Sequence, residues 1–214
     1  MLSNTQLNVL LGLTVVLWAV VLVFEHQSVS VHMLAPFSYV LTALSFCLLL
    51  WDRWLWRWYI FRGWLNKRPD LRGTWKGVVN SSWVDDDTKQ GRGPIDVYLV
   101  IRQTYTTIDV RLFSDESSSV SLSGDIFTDA VGVCTLAVAY RNTPRILKRG
   151  RSPINHGGML LSLVGDPVHK LDGEYWTDRA TMGEITLIAR SKSTAHDFEE
   201  AAKRRFFKGS TDAN

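Results

Sequence analysis

The residues best suited to chemistry lie in one short run, where Tyr175, Thr177 and Arg179 alternate with two other side chains. Side chains alternate across a β-strand, so an extended run puts these three on one face. A guanidinium binds an anionic group, an aromatic ring stacks on a flat heterocycle, and a hydroxyl bonds to its edge. The pattern therefore favours ligand binding.

Further candidate ligand-binding residues lie on other predicted strands, most of them near a strand end. Arg141 is expected near one end of its strand, with Tyr140 on the opposite face, and Arg102 ends another strand. Thr74 and Trp75 belong to a G-x-W opening, which suits a barrel floor as well as a stacking platform. The predicted ligand-binding residues are Thr74, Trp75, Arg102, Tyr140, Arg141, Tyr175, Thr177 and Arg179.

Structural roles stay open for three features of this set. Tyr175 suits a hydrophobic core as well as a ligand. Arg179 suits an ion pair with a neighbouring carboxylate, and the basic loop Asn142–His156 suits either a solvated surface or a lid over phosphates.

No catalytic constellation accompanies these residues, and we expect no enzyme activity and no cofactor. The sequence has no P-loop and no G-x-S-x-G elbow. Asp85–Asp87 is interpreted as a solvated loop rather than a metal site. The histidines are scattered and lack metal-ligand spacing; they are His26, His32, His156, His169 and His196.

Two long apolar runs precede the polar part of the chain. Leu7–Phe24 and Met33–Trp51 carry no charged residue, and each approaches the roughly 20 residues that cross a bilayer. The linker Glu25–His32 has no Lys or Arg, whereas basic residues follow the second run and five of the nine tryptophans lie between residues 51 and 64. Two transmembrane helices in the inner membrane are therefore predicted, and the positive-inside rule places both termini in the cytoplasm.

Residues 69–214 have the alternation of an antiparallel sheet, and residues 1–68 are predicted to form the helical hairpin with its Trp/Arg collar. Eight short strands favour a closed up-and-down β-barrel, with a sandwich as the alternative. A short helix is expected over Asp197–Lys208, with a frayed end from Ser210. The predicted strands are Leu71–Val79, Ile95–Gln103, Thr107–Phe113, Ser118–Phe127, Gly132–Tyr140, Gly157–Val164, Leu171–Arg179 and Gly183–Arg190.

Several stretches together resemble a known family. They are Leu71–Gly77, Ala139–Pro144, His156–Gly158, Leu171–Arg179 and Met182–Ile185. In order and spacing the chain resembles the SMODS-associated two-transmembrane, β-strand-rich effectors of bacterial cyclic-oligonucleotide-based anti-phage signalling systems (CBASS). The resemblance covers nearly the whole chain.

The resemblance implies a role in anti-phage defence. A partner nucleotidyltransferase makes a cyclic nucleotide during infection, the barrel binds it, and the protein oligomerises and disrupts the inner membrane in abortive infection. The partners implied are a cyclic dinucleotide or related cyclic oligonucleotide, membrane lipids and further copies of the chain, with no DNA or RNA polymer.

Two other functions remain open from the residues alone. The G-x-W opening also fits a membrane-tethered lipocalin-like carrier of an apolar molecule, and a filled barrel would suit a scaffold. The two cysteines, Cys47 and Cys134, are interpreted as buried residues of a protein in a reducing compartment.

Overall fold

The computed structural model describes residues 4–24, 37–61, 63, 65–84, 91, 93–150 and 152–208. It divides into two compact units, Met1–Arg68 and Pro69–Asn214. The first contains helices α1 (Asn4–Phe24) and α2 (Phe37–Arg53), followed by single 3-10 turns at Leu55–Arg57 and Tyr59–Phe61. The predicted linker Glu25–His32, the Asp85–Asp87 loop and the end from Ser210 lie outside the described residues.

Within the described part of the chain, neither N-terminal helix combines the length and apolarity needed to cross a membrane. Helix α2 has 17 residues, about 25 Å at 1.5 Å per residue, and it ends in Asp52 and Arg53. Helix α1 has 21 residues, and Asn4, Thr5 and Gln6 at its start are polar. The prediction of two transmembrane helices is therefore wrong, and with it the two-span inner-membrane location.

The second unit is a closed antiparallel barrel of eight strands, as predicted. Each strand pairs with the next in the chain, and β1 also pairs with β8, which removes the sheet edges. The strands are β1 (Gly73–Ser81), β2 (Ile95–Gln103), β3 (Ile108–Ser114), β4 (Ser117–Thr128), β5 (Cys134–Pro144), β6 (Asn155–Val164), β7 (Lys170–Thr177) and β8 (Met182–Ser191).

Alternation along the strands fills the barrel interior. In β2 the inward side chains include Val97, Leu99 and Ile101, which are almost fully buried. Directly paired residues share a face, so the interior continues across neighbouring strands. The remaining fully buried members of this core are Leu71, Trp75, Leu136, Met159, Leu161, Leu171, Ile185 and Leu187.

The barrel is closed at the end where β1 begins. The Trp75 side chain is 0% exposed, and its indole N–H donates to the Leu71 carbonyl at 2.8 Å. The Gln103 amide links this end further, because its oxygen accepts from the Leu71 N–H and its nitrogen donates to the Pro69 carbonyl, both at 2.9 Å. These bonds satisfy backbone groups that would otherwise be buried without partners.

The C-terminal segment packs on the outside of the barrel. Helix α3 spans Phe198–Ala202, shorter than the predicted Asp197–Lys208, and the Asp197 carboxylate caps it by accepting from the Glu200 N–H at 2.7 Å. Phe198 and Phe206 contact Tyr98 on the outer face of β2. A two-residue strand, β9 (Phe207–Lys208), then pairs with β8 and was not predicted.

Candidate functional site

A cavity of about 180 Å³ opens at the other end of the barrel. Here β1, β3, β5 and β7 end, while β2, β4, β6 and β8 begin. Its inner part is apolar, and its entrance carries hydroxyl and amide side chains. The inner residues include Ile95, Val97, Leu112, Met159 and Ile185, and the entrance residues include Ser81, Ser114, Ser119, Asn142, Asn155 and Thr177.

Two tyrosines separate the apolar part from the entrance. The Tyr140 hydroxyl donates to the Trp176 carbonyl at 3.2 Å, and the Tyr175 hydroxyl donates to Ser81 Oγ at 2.7 Å. Gly157 is paired with Tyr140, and a Cβ there would lie 2.6 Å from the Tyr140 hydroxyl. The glycine therefore leaves the space in which the Tyr140 ring lies.

Both phenols are protonated at neutral pH, and burial moves their pKa values further above it. Burial raises the pKa of Tyr140 well above its ordinary value, and the neighbouring Tyr175 and Asp178 raise it further. Burial also raises the pKa of Tyr175, although the hydrogen bond to Ser81 acts in the opposite direction. At neutral pH the aromatic layer thus adds no negative charge to the cavity.

A polar row crosses the entrance on three neighbouring strands. Ser119 pairs with Asn142, and Asn142 pairs with Asn155, so their side chains point to the same face of the sheet. Beyond β7, Arg179 also lines the cavity, and its Nη1 donates to Ser152 Oγ at 3.0 Å. This arrangement offers a guanidinium, amides and hydroxyls to a ligand at the mouth.

Four of the predicted ligand residues come together in this cavity, namely Tyr140, Tyr175, Thr177 and Arg179. Strand β7 ends at Thr177, so Arg179 lies in the turn to β8 instead of on the strand. The Thr177 hydroxyl organises that turn, because it accepts from the Arg179 and Thr181 N–H groups, both at 3.3 Å.

The other four predicted residues lie elsewhere. Thr74 is buried near the closed end, where its hydroxyl donates to the Ser193 carbonyl at 2.8 Å and accepts from the Ala195 N–H at 3.0 Å. Trp75 forms the floor, with the Arg190 guanidinium 5.1 Å from its ring centre. Arg102 and Arg141 are exposed and alternate with inward residues, which places them on the outer face.

Sequence reasoning missed the amides of the polar row. It ended the fifth strand at Tyr140 and began the sixth at Gly157, whereas β5 continues to Pro144 and β6 begins at Asn155. The sequence did contain a signal for Asn142, because it lies two residues after Tyr140 and therefore faces the same side of the strand. Among the described residues, no group of three or more His, Cys, Asp or Glu side chains is placed to hold a metal ion.

A barrel closed at one end, with an aromatic layer and a polar mouth at the other, defines a small-ligand receptor. Residues 66–189 match the family model "Cap15, cyclic dinucleotide receptor domain". The chain is also 31% identical over 150 residues to CD-NTase-associated protein 15 of Staphylococcus schleiferi, covering 70% of this chain and 76% of that protein. The chain therefore belongs to the Cap15 family, and the predicted membership of a CBASS effector family is confirmed.

Proposed function

We propose that the open end of the barrel binds a cyclic dinucleotide in the cavity lined by Tyr140, Tyr175, Thr177 and Arg179, and that the protein acts as a non-enzymatic effector. The observation that carries this proposal is the convergence of these four side chains on one mouth. The family model, which describes a cyclic dinucleotide receptor domain, supports the same ligand class.

Each layer of the cavity suits one part of such a ligand. Arg179 is at the mouth, where a phosphate remains close to water and forms charge-assisted hydrogen bonds. Tyr140 and Tyr175 offer ring surfaces to a base, while the apolar residues below them accept its desolvated face. The phenols are neutral at neutral pH and therefore add no repulsion to a dianion.

The decisive experiment compares two arginines by isothermal titration calorimetry of the full chain with a panel of cyclic dinucleotides. Loss of a hydrogen bond to a charged group costs about 1.5–3 kcal/mol, so Arg179→Ala should weaken binding roughly 10-fold or more. Arg102→Ala is the matched control, because Arg102 is exposed near the closed end. Equal affinities of the wild type and Arg179→Ala would place the phosphate site elsewhere.

The output of the effector forms a further part of the proposal. We infer that a nucleotidyltransferase supplies the ligand, as the name of the Staphylococcus schleiferi relative suggests for that protein. Ligand binding would then promote association of several copies and loss of membrane integrity. Light scattering should reveal a larger species only when ligand is added, since the ligand must bind that state more tightly. An unchanged mass at saturating ligand would refute this output.

A further inference from the structure

Asn155 carries a buried hydrogen-bond acceptor with no partner. Its side chain lines the cavity and is 4% exposed. The Nδ2 group donates to the Pro153 carbonyl at 3.2 Å, whereas Oδ1 has no partner among the described residues. Exchanging the two amide atoms would put an oxygen against that carbonyl, so the hydrogen bond fixes which atom remains unpaired.

The neighbouring amide complements this acceptor. Asn142 pairs directly with Asn155 across β5 and β6, so the two side chains lie next to each other on the inner face. The Ser119 hydroxyl donates to Asn142 Oδ1 at 3.1 Å. With its oxygen engaged in this way, Asn142 has its amide N–H groups to offer, and the pair presents one acceptor beside one donor.

An acceptor beside a donor matches the hydrogen-bonding edge of a nucleobase. Adenine offers an amino group beside a ring nitrogen, guanine offers its N1–H beside O6, and uracil offers its N3–H beside a carbonyl. A buried acceptor without a protein partner is costly, and a ligand N–H that reaches it supplies the hydrogen bond that the described residues do not. The contact is therefore sensitive to whether the ligand supplies a donor at that point.

We propose that Asn155, together with Asn142, recognises the hydrogen-bonding edge of one base and so sets which cyclic dinucleotide the barrel prefers. The inference rests on the proposed function of the cavity and adds its specificity-determining residues. Arg179 and the tyrosines contact features that all cyclic dinucleotides share, namely phosphates and flat rings. The amide pair contacts the base edge, by which they differ because the donor is exocyclic in adenine but lies in the ring in guanine and uracil.

The test measures the affinities of cyclic di-AMP, cyclic di-GMP and cyclic di-UMP for the full chain and for two leucine variants. Leucine keeps the branched shape and the number of side-chain heavy atoms of asparagine, is larger because of its two methyl groups, and removes both hydrogen-bonding groups. Asn155→Leu should lower the affinity for the preferred ligand about 10-fold, the equivalent of about 1.4 kcal/mol. It should change the affinity for the least preferred ligand by less than about twofold. Asn80→Leu, on the exposed face of β1, is the matched control.

The outcomes separate this inference from the proposed function. The inference is supported if the affinities of the three ligands differ less in Asn155→Leu and Asn142→Leu than in the wild type, while Asn80→Leu keeps the wild-type differences. Wild-type binding with an unchanged order of preference in both inner variants overturns it and leaves the proposed function standing. No binding of any ligand by the wild type overturns the proposed function itself. Thermal melting of each variant identifies any that fails to fold, and Asn155→Ser then replaces Asn155→Leu in the same comparison.

Discussion

Replacing Trp75 with phenylalanine tests whether the floor of the barrel is structural. The indole is fully buried, donates to the Leu71 carbonyl and lies under the Arg190 guanidinium. Arg190 in turn donates to the Arg72 carbonyl at 2.7 Å through Nη2. Phenylalanine keeps an aromatic ring but loses the N–H donor and the volume of the second ring.

The expected loss of stability follows from two effects. Leaving the Leu71 carbonyl buried without its donor costs about 1–3 kcal/mol. The missing ring atoms leave a cavity and remove apolar contact, which costs a further ~1–2 kcal/mol. The free energy of unfolding should therefore fall by about 2–5 kcal/mol, as measured by urea denaturation followed by circular dichroism of the sheet. Trp176→Phe is the control, because Trp176 is 45% exposed, and it should cost less than ~1 kcal/mol.

Binding provides the second measurement on the same variant. Trp75 lies at the closed end, so cyclic dinucleotide affinity should stay within about twofold of the wild type under conditions where the variant is folded. A large loss of affinity with little loss of stability would restore Trp75 to the ligand site. A decrease of less than ~1 kcal/mol in the free energy of unfolding would refute the structural argument.

Two further predictions concern the mouth and the closed end. Gly157→Ala should cost about 1–3 kcal/mol of stability and weaken ligand binding, because the new Cβ meets the Tyr140 hydroxyl and the adjacent backbone; Gly150→Ala, with open space around it, should be nearly neutral. Burial raises the pKa of Asp70, but bonding to Arg72 and the nearby arginine charges lower it to a net value below normal. Its stabilising effect is therefore present above about pH 4 and is lost as pH falls through the folded-state pKa. Asp70→Asn should be less stable than the wild type at pH 7, by up to ~1 kcal/mol, and this difference should shrink as the pH falls below about 4 in matched denaturant titrations. A difference that does not change with pH would refute this account.

Alternation was sufficient to predict the barrel. Ile95–Gln103 has the same bounds in the prediction and in the structure, because its inward residues from Ile95 to Ile101 are all large and apolar and alternate with the outward Asp96 and Arg102. The pairing of β1 with β8 follows from the cost of leaving two sheet edges open. These features depend on averages over many residues, so single errors at strand ends do not alter them.

Helices and individual site residues were harder to predict. The apolar run Met33–Trp51 suggested a span, but the described helix begins only at Phe37 and includes a charged end. Arg141 was expected near the mouth, and it does lie near that end of β5. Its side chain is on the outer face of the sheet, however, because it alternates with the inward Tyr140 and Asn142. Charge and position along a strand thus indicate a candidate, whereas the face of the sheet decides whether it reaches the cavity.

The inward pairs of β5 and β6 explain why the residues that line the cavity were the least predictable part of the barrel. Along these strands the pairs change from Leu136/Leu161 through Val138/Met159 and Tyr140/Gly157 to Asn142/Asn155. One alternation therefore runs from a dry core to a polar mouth without a break in the backbone pairing. A strand predicted from alternating apolar residues is ended too early when its inward residues become polar, although the backbone pairing continues. The side chains that line the open mouth of this barrel lie at these polar strand ends. When strands are predicted from sequence, the inward alternation should therefore be followed beyond the last apolar residue before the strand is taken to end.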